Sequence, residues 1–242
     1  MILQILVWLL VATAGGVTAS IAGFGIGSLL TPVLATRFSV ADAILAVSIP
    51  HAVATAVRCW RLRRSIDWTV LRGFGIASAI GGIIGAFALF QFENQARLIL
   101  GVLLIATGAA GLTGWNRKIA PSGILSTLFG GLSGLFGGLA GNQGGLRAAA
   151  LMSYRLTPAT FVATSTAVGL MVDAARLPVY MTRGSGRLLD LLVPMAIATA
   201  GVLAGTLLGE KILLRLSRER FTMVVSVLIT VLGIWLLADV IW

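Results

Sequence analysis

Apolar runs long enough to cross a bilayer recur along the whole sequence and limit the folds that it can adopt. A spanning helix needs about 20 predominantly apolar residues. Because 58% of the residues are hydrophobic and only 11% are charged, a soluble domain would lack the polar side chains to cover its surface. The sequence therefore predicts an all-α polytopic membrane protein with about eight full spans. The runs cover residues 2–22, 40–58, 69–91, 97–114, 121–139, 158–178, 188–209 and 221–241.

Two glycine-rich stretches interrupt this pattern. Gly15–Gly27 has the sequence GGVTASIAGFGIG, and Gly130–Arg147 has the sequence GGLSGLFGGLAGNQGGLR. Glycine-dense backbone at membrane depth allows helices to pack closely, or breaks a helix so that its amides face a cavity. Each stretch leads into an apolar run of about half the length of a span, Ser28–Thr36 and Gly144–Ser153. We expect these runs to form half-helices or re-entrant segments.

The two halves of the chain resemble each other in the order of these features, which predicts two glycine-broken helical repeats. The repeats are 1–114 and 121–242, in one integral membrane domain with a short basic connection at 115–120. Inverted repeats require the half-length segments to cross the membrane, and the positions of the basic residues favour that arrangement, with both termini outside. Parallel repeats are the alternative. The aligned elements are Gly16–Gly23 with Gly131–Gly138, Ser39–Ser48 with Leu156–Ser165, and Gly81 and Gly85 with Gly201 and Gly205.

The charge distribution argues against a nucleic-acid-binding protein. The net charge is +10, but the basic residues gather mostly between apolar runs, where they set orientation and contact anionic lipid headgroups. Nothing basic precedes Arg37, so we expect the first run to be kept as a membrane helix rather than cleaved as a signal peptide. The single cysteine, Cys59, excludes an intrachain disulfide.

Motifs for catalysis or cofactors were also sought. The sequence contains no metal-ligand spacing, phosphate loop, nucleophile elbow or dinucleotide fingerprint. We therefore expect no enzyme activity, no cofactor and no metal site.

Arg147 and the residues before it form the best candidate anion site. A helix N-terminus presents unpaired amides and a positive dipole end, and a nearby guanidinium adds affinity for an oxyanion. Two alternatives are that Arg147 extends to a lipid headgroup, and that the hydroxyls only bond back to their own helices. The predicted binding residues are Arg147, Asn142, Gln143, Gly144 and Gly145 in the second stretch, Gly25 and Gly27 in the first, and the aligned hydroxyls of Ser48 and Ser165.

Asp173 and His51 are the candidates for ion coupling, because ionisable groups inside a membrane are costly. Asp173 lies three residues before Arg176, so the two side chains can pair on one helix face. A purely structural ion pair is the alternative. His51 follows Pro50 in the middle of a run, and its imidazole can take up a proton near neutral pH. The alternative is a neutral histidine hydrogen-bonded to a neighbouring helix.

The glycine stretches resemble those of the TauE/SafE sulfite exporter family. The resemblance rests on AGFGIGSLLTPVL at Ala22–Leu34 and GGLSGLFGGLAGNQGGLRAAAL at Gly130–Leu151, and it extends over essentially the whole chain. It implies a multi-pass transporter of the cell inner (plasma) membrane that handles sulfite, sulfonates or other small sulfur-containing anions. The family typically has a GxGGG-type motif in each half, whereas this chain has Gly23–Gly27 and Gly138–Gly145 at those places.

We therefore expect a secondary transporter, an exporter of sulfite or an organosulfonate that works by alternating access between the two repeats. Its expected partners are the anion, the lipid bilayer and a second copy in a homodimer. An anion channel lined by the same glycine breaks is one alternative. A membrane assembly factor without transport activity is another.

Overall fold

The described part of the chain is mainly helical and contains no strand. This computed structural model describes residues 2–35, 37–38, 40–113, 123–140, 144–183, 188–213 and 215–241. A 3₁₀ turn at Arg63–Ser65 follows α3, and a π-helical turn at Leu71–Gly75 separates α4 from α5. The helices are α1 (Ile2–Ala22), α2 (Ile26–Ala35), α3 (Val40–Leu62), α4 (Trp68–Val70), α5 (Ile76–Leu112), α6 (Ile124–Ala140), α7 (Gly144–Met152), α8 (Pro158–Arg183), α9 (Leu188–Leu213) and α10 (Arg218–Ile241).

The all-α membrane class is confirmed. Within the described residues, five helical segments are long and apolar enough to cross a bilayer, and Ile124–Gly138 is a shorter apolar helix. The total of eight spans stays a prediction. The five segments are Leu3–Ala22, Asp42–Ser65, Trp68–Ala88, Pro158–Thr182 and Leu189–Leu213.

Helix α5 differs from the prediction of two separate spans at 69–91 and 97–114. It runs for 37 residues without a break, which at 1.5 Å per residue is about 55 Å, well beyond the roughly 30 Å hydrocarbon core. The expected connection reads QFENQAR and contains neither glycine nor proline. Its residues include glutamine, glutamate, alanine and arginine, which favour a helix, so the polar segment continues the helix instead of ending it.

Both half-length helices are present where the glycine stretches end. Helix α2 has 10 residues and α7 has 9, which gives each a length of about 15 Å. The break before α2 depends on Gly23 and Gly25, whose φ angles are +79° and +132°. Side chains rarely tolerate these angles, so two glycines are required to end α1 and begin α2 within three residues.

Glycine brings α1 directly against α9. A Cβ atom on Gly16 would overlap the backbone of Val202, and a Cβ atom on Gly205 would overlap the backbone of Thr13. In a membrane, where lipid is as apolar as the protein interior, this close backbone contact supplies much of the packing energy between helices. A helix of the first half is thereby fixed to a helix of the second.

Close backbone contact at glycines also joins α5 to α6. A Cβ atom on Gly85 would overlap the carbonyl of Leu135, and one on Gly134 would overlap that of Ser78. The Ser78 hydroxyl also donates to the carbonyl of Gly130 at 2.8 Å. Each half therefore packs one of its helices against the opposite half.

Gly134→Ala should destabilise the α5–α6 pair. Its new methyl group would meet the backbone of Ser78, and overpacking of this kind costs about 1–3 kcal/mol. Gly131→Ala, three residues earlier on the same helix, is the control, because its Cβ atom would lie 4.0 Å from the nearest atom. Thermal unfolding of the detergent-purified variants should show a lower Tm for Gly134→Ala alone. Equal Tm values for the two variants would contradict the packing described here.

Candidate anion-binding site

The two glycine breaks meet in the interior. A Cβ atom on Gly144 would overlap the side chain of Phe24, so Phe24 from the first break packs on the first residue of α7. Nη2 of Arg147 also donates to the carbonyl of Gly23 at 3.2 Å. Residues that are more than 100 positions apart in sequence therefore form one site.

Arg147 lies at the centre of this site and is 2% exposed. Its Nε donates to Oγ of Ser165 at 2.9 Å, and the Ser165 hydroxyl donates to the carbonyl of Gly23 at 3.2 Å. Nη1 of Arg147 has no hydrogen-bond partner in the described part of the chain. The alternative that Arg147 extends to a lipid headgroup is wrong, because its guanidinium is buried and hydrogen-bonded to α8 and to the first glycine break.

Gly169 makes room for this guanidinium. It lies four residues after Ser165 on α8, and a Cβ atom there would be 3.1 Å from Nη1 of Arg147. That separation is closer than side-chain carbons normally allow. The absence of a side chain at position 169 therefore lets Arg147 lie against the α8 backbone.

The remaining predicted binding residues differ in their burial and in their contacts. Gly144 and Gly145 are buried at the start of α7, while Gly25 is buried and Gly27 partly buried beside the first break. Ser48 is buried, and its hydroxyl donates to the carbonyl of Ile44 in its own helix at 2.7 Å. Asn142 and Gln143 lie outside the described residues.

His51 and Asp173, predicted separately, are partners. Nδ1 of His51 lies 2.5 Å from Oδ2 of Asp173. Arg176 donates to the other carboxylate oxygen, Oδ1, through Nη2 at 2.9 Å and Nε at 3.2 Å. The predicted Asp173–Arg176 pair is confirmed, and so is the hydrogen bond from His51 to a neighbouring helix.

The ion pair continues to the second glycine break. Nη1 of Arg176 donates to the carbonyl of Gly137 at 3.0 Å, and the Tyr180 hydroxyl donates to that of Gly138 at 2.9 Å. These carbonyls are near the end of α6, where the last four lack partners within the helix and a positive charge is favourable. Residues of α8 thus stabilise the end of the helix that leads to the break before α7.

Arg58, the last residue of the predicted run 40–58, is a candidate site residue that the apolar pattern did not reveal. The structure places Arg58 in the interior, 3% exposed. Its Nε donates to Oγ1 of Thr166 at 2.8 Å, and its Nη1 has no hydrogen-bond partner in the described ranges.

Helical spacing could have revealed Arg58. Ser48, His51, Thr55 and Arg58 follow one another at intervals of three or four residues, so they share one face of α3. Thr55 Oγ1 lies 3.5 Å from Nδ1 of His51, in keeping with a continuous polar face. The position of Arg58 on this polar face indicates its burial better than its distance from the end of the apolar run does.

Comparisons with known proteins agree with the glycine pattern. A family model described as sulfite exporter TauE/SafE matches residues 8–236 of the 242-residue chain. The match includes both glycine breaks and every residue of the site described above. No curated protein and no solved structure matches the chain.

Asp173→Asn should destabilise the protein strongly. The change leaves Arg176 buried without its carboxylate, and breaking a buried pair in this way costs about 3–5 kcal/mol. Glu210→Gln is the matched control. It removes the acid of the Arg61–Glu210 pair, where the Arg61 side chain is 47% exposed, and exposed pairs contribute little. Unfolding measured in detergent should separate the two variants, whereas equally small losses would contradict a structural role for Asp173.

Proposed function

The chain belongs to the sulfite exporter TauE/SafE family, and on that basis we propose that it is a secondary transporter that exports sulfite or an organosulfonate across the cell inner membrane. The family consists of membrane transporters for sulfite or related anions. The observation that carries the proposal is the buried Arg147, whose Nη1 has no hydrogen-bond partner among the described residues, at the meeting point of the two breaks.

In this proposal the anion binds beside Arg147 at the start of α7. The first amides of a helix have no partners within it, so those of Gly144 and Gly145 are available to an oxyanion. Gly25 and Gly27 contribute backbone from the first break, and Asn142 and Gln143, which precede α7 in the sequence, belong to the proposed binding residues of the second. Hydroxyls of Ser165 and Ser48 complete the binding residues.

We propose that the chain is built from two repeats, 1–114 and 121–242. In each repeat, a later helix packs against the first helix of the other repeat. Gly81 and Gly85 pack against α6, while their predicted counterparts Gly201 and Gly205 pack against α1. Corresponding glycines thus fix each repeat to the other repeat's first helix. This reciprocal pattern supports the repeat.

We also propose that the chain moves as two units. One unit contains α1, α2, α3 and α9, and the other contains α5, α6, α7 and α8, since the helices within each unit contact one another. Gly23 and His51 belong to the first unit, and Arg147, Ser165 and Asp173 to the second. Rocking of the two units about this interface would expose the bound anion to each side of the membrane in turn.

Arg147→Gln should abolish transport without unfolding the protein. Loss of one buried, charge-assisted contact costs about 2–5 kcal/mol, or roughly 30-fold or more in affinity. Uptake of labelled sulfite into proteoliposomes should be saturable and stimulated by sulfite on the opposite side in the wild type, and lost in Arg147→Gln. Arg61→Gln, which alters an arginine with a half-exposed side chain, is the control and should keep its flux.

Two results of the flux measurement would contradict the proposal. Flux that rises linearly with concentration and shows no stimulation from the opposite side would indicate an anion channel. Absence of flux in the wild type for sulfite and organosulfonates would favour an assembly factor.

We further propose that the His51–Asp173 pair takes up the coupling proton. A pair across the two units can change its protonation as the units move. Sulfite flux across a pH series should then vary in the wild type and lose that dependence in His51→Gln. Arg61→Gln, which alters a half-exposed arginine near the end of α3, should keep the wild-type profile. Superimposable profiles for the wild type and His51→Gln would indicate that His51 has only a structural role.

A further inference from the structure

Arg58 and Arg147 share an unusual property. Each is almost completely buried, at 3% and 2% exposure, and each has an Nη1 atom without a hydrogen-bond partner. Elsewhere in the described ranges, the buried side-chain atoms in this condition are the hydroxyl oxygens of Thr206 and Ser226, which carry no charge. A buried guanidinium nitrogen without an acceptor is far more costly than a hydroxyl.

The two arginines reach α8 at neighbouring positions. Ser165 accepts from Nε of Arg147 and Thr166 accepts from Nε of Arg58. Consecutive Cα atoms are about 3.8 Å apart, so α7 and α3 each send one guanidinium to the same turn of α8.

Positive charge exceeds negative charge around these groups. Arg58, Arg147 and Arg176 are buried there with a single carboxylate, Asp173, which already contacts His51 and Arg176. The other buried acid in the described ranges is Asp42. It lies sixteen residues before Arg58 on α3, which is about 24 Å along a helix.

With His51 neutral, these three guanidinium groups and one carboxylate leave two positive charges without a buried counterion. Uncompensated charge at membrane depth is expensive. A ligand that brings two negative charges therefore suits Arg58 and Arg147, which contact one turn of α8 and each have an Nη1 without an acceptor among the described residues.

We propose that Arg58 and Arg147 bind the transported anion together, and that the site selects a divalent anion over a monovalent sulfonate. This inference rests on the proposed function and narrows its substrate. Sulfite dianion, thiosulfate, sulfate and sulfoacetate carry two negative charges, whereas methanesulfonate carries one. Guanidinium groups bind such oxygens through paired, charge-assisted hydrogen bonds. A monovalent anion would satisfy one arginine and leave the charge of the other unbalanced.

The test is anion-dependent stabilisation of the full-length protein purified in detergent. Thiosulfate and methanesulfonate are titrated at constant ionic strength, and affinities are taken from the rise in Tm. Arg147→Gln gives the baseline, because general salt effects on Tm persist in it. In the wild type, thiosulfate should bind at least about 10-fold more tightly than methanesulfonate, since one more buried charge is balanced.

Arg58→Gln should remove this preference. Its affinity for thiosulfate should fall about 10-fold or more, while that for methanesulfonate should change less than about 3-fold. Arg64→Gln, which alters an exposed arginine in the turn after α3, should match the wild type. Thr166→Val removes the acceptor of Arg58 Nε and should weaken the preference in part, which provides a second variant if Arg58→Gln does not fold.

The outcomes separate this inference from the proposed function. Equal binding of thiosulfate and methanesulfonate by the wild type would overturn the selection of divalent anions, whichever variants fold. Retention of the preference in Arg58→Gln, together with loss of all binding in Arg147→Gln, would overturn the role of Arg58 and leave the proposed function in place. No saturable stabilisation of the wild type by either anion would overturn both.

Discussion

In the described part of the chain, a single carboxylate, Asp173, is buried beside three guanidinium groups, and the contacts of the interior follow from that imbalance. Asp173 contacts His51 through one oxygen and Arg176 through the other. It thereby joins α3 to α8, and through Arg176 it joins α8 to the end of α6. Because both of its oxygens already have partners, Arg58 and Arg147 rely on hydroxyl and carbonyl oxygens, which accept hydrogen bonds without neutralising charge.

Glycine makes this polar interior possible. The pairs α1–α9 and α5–α6 pack backbone to backbone, so few side chains are needed to hold the helices together in lipid. The same residue type ends α1 at Gly23 and leaves space for Arg147 at Gly169. A helical bundle fixed by its glycines can therefore keep charged side chains in its interior.

The sequence predicted the features that depend on local pattern. Apolar length identified the membrane class, and glycine density located both breaks and the half-helices α2 and α7. The spacing of Asp173 and Arg176 within one turn predicted their pairing, which is confirmed.

Local sequence patterns do not predict the features that depend on tertiary contacts. The His51–Asp173 contact joins residues 122 positions apart, and no periodicity within either helix specifies it. The burial of Arg58 was not predicted because Arg58 lies at the end of an apolar run, while the neighbours that bury it come from α8. The continuity of α5 was missed because a polar segment was taken as a loop, although its residues favour a helix.

The proposed transport depends on an anion that binds in the interior at Arg147. Its binding is tested most directly by an experimental structure of the protein soaked in selenate, whose selenium atom can be located by its anomalous scattering. We expect a selenium peak within hydrogen-bonding reach of Nη1 of Arg147, at the start of α7 and beside the first glycine break. A selenate ion found only at the membrane surface, with Arg147 unchanged and without a bound ion, would contradict it.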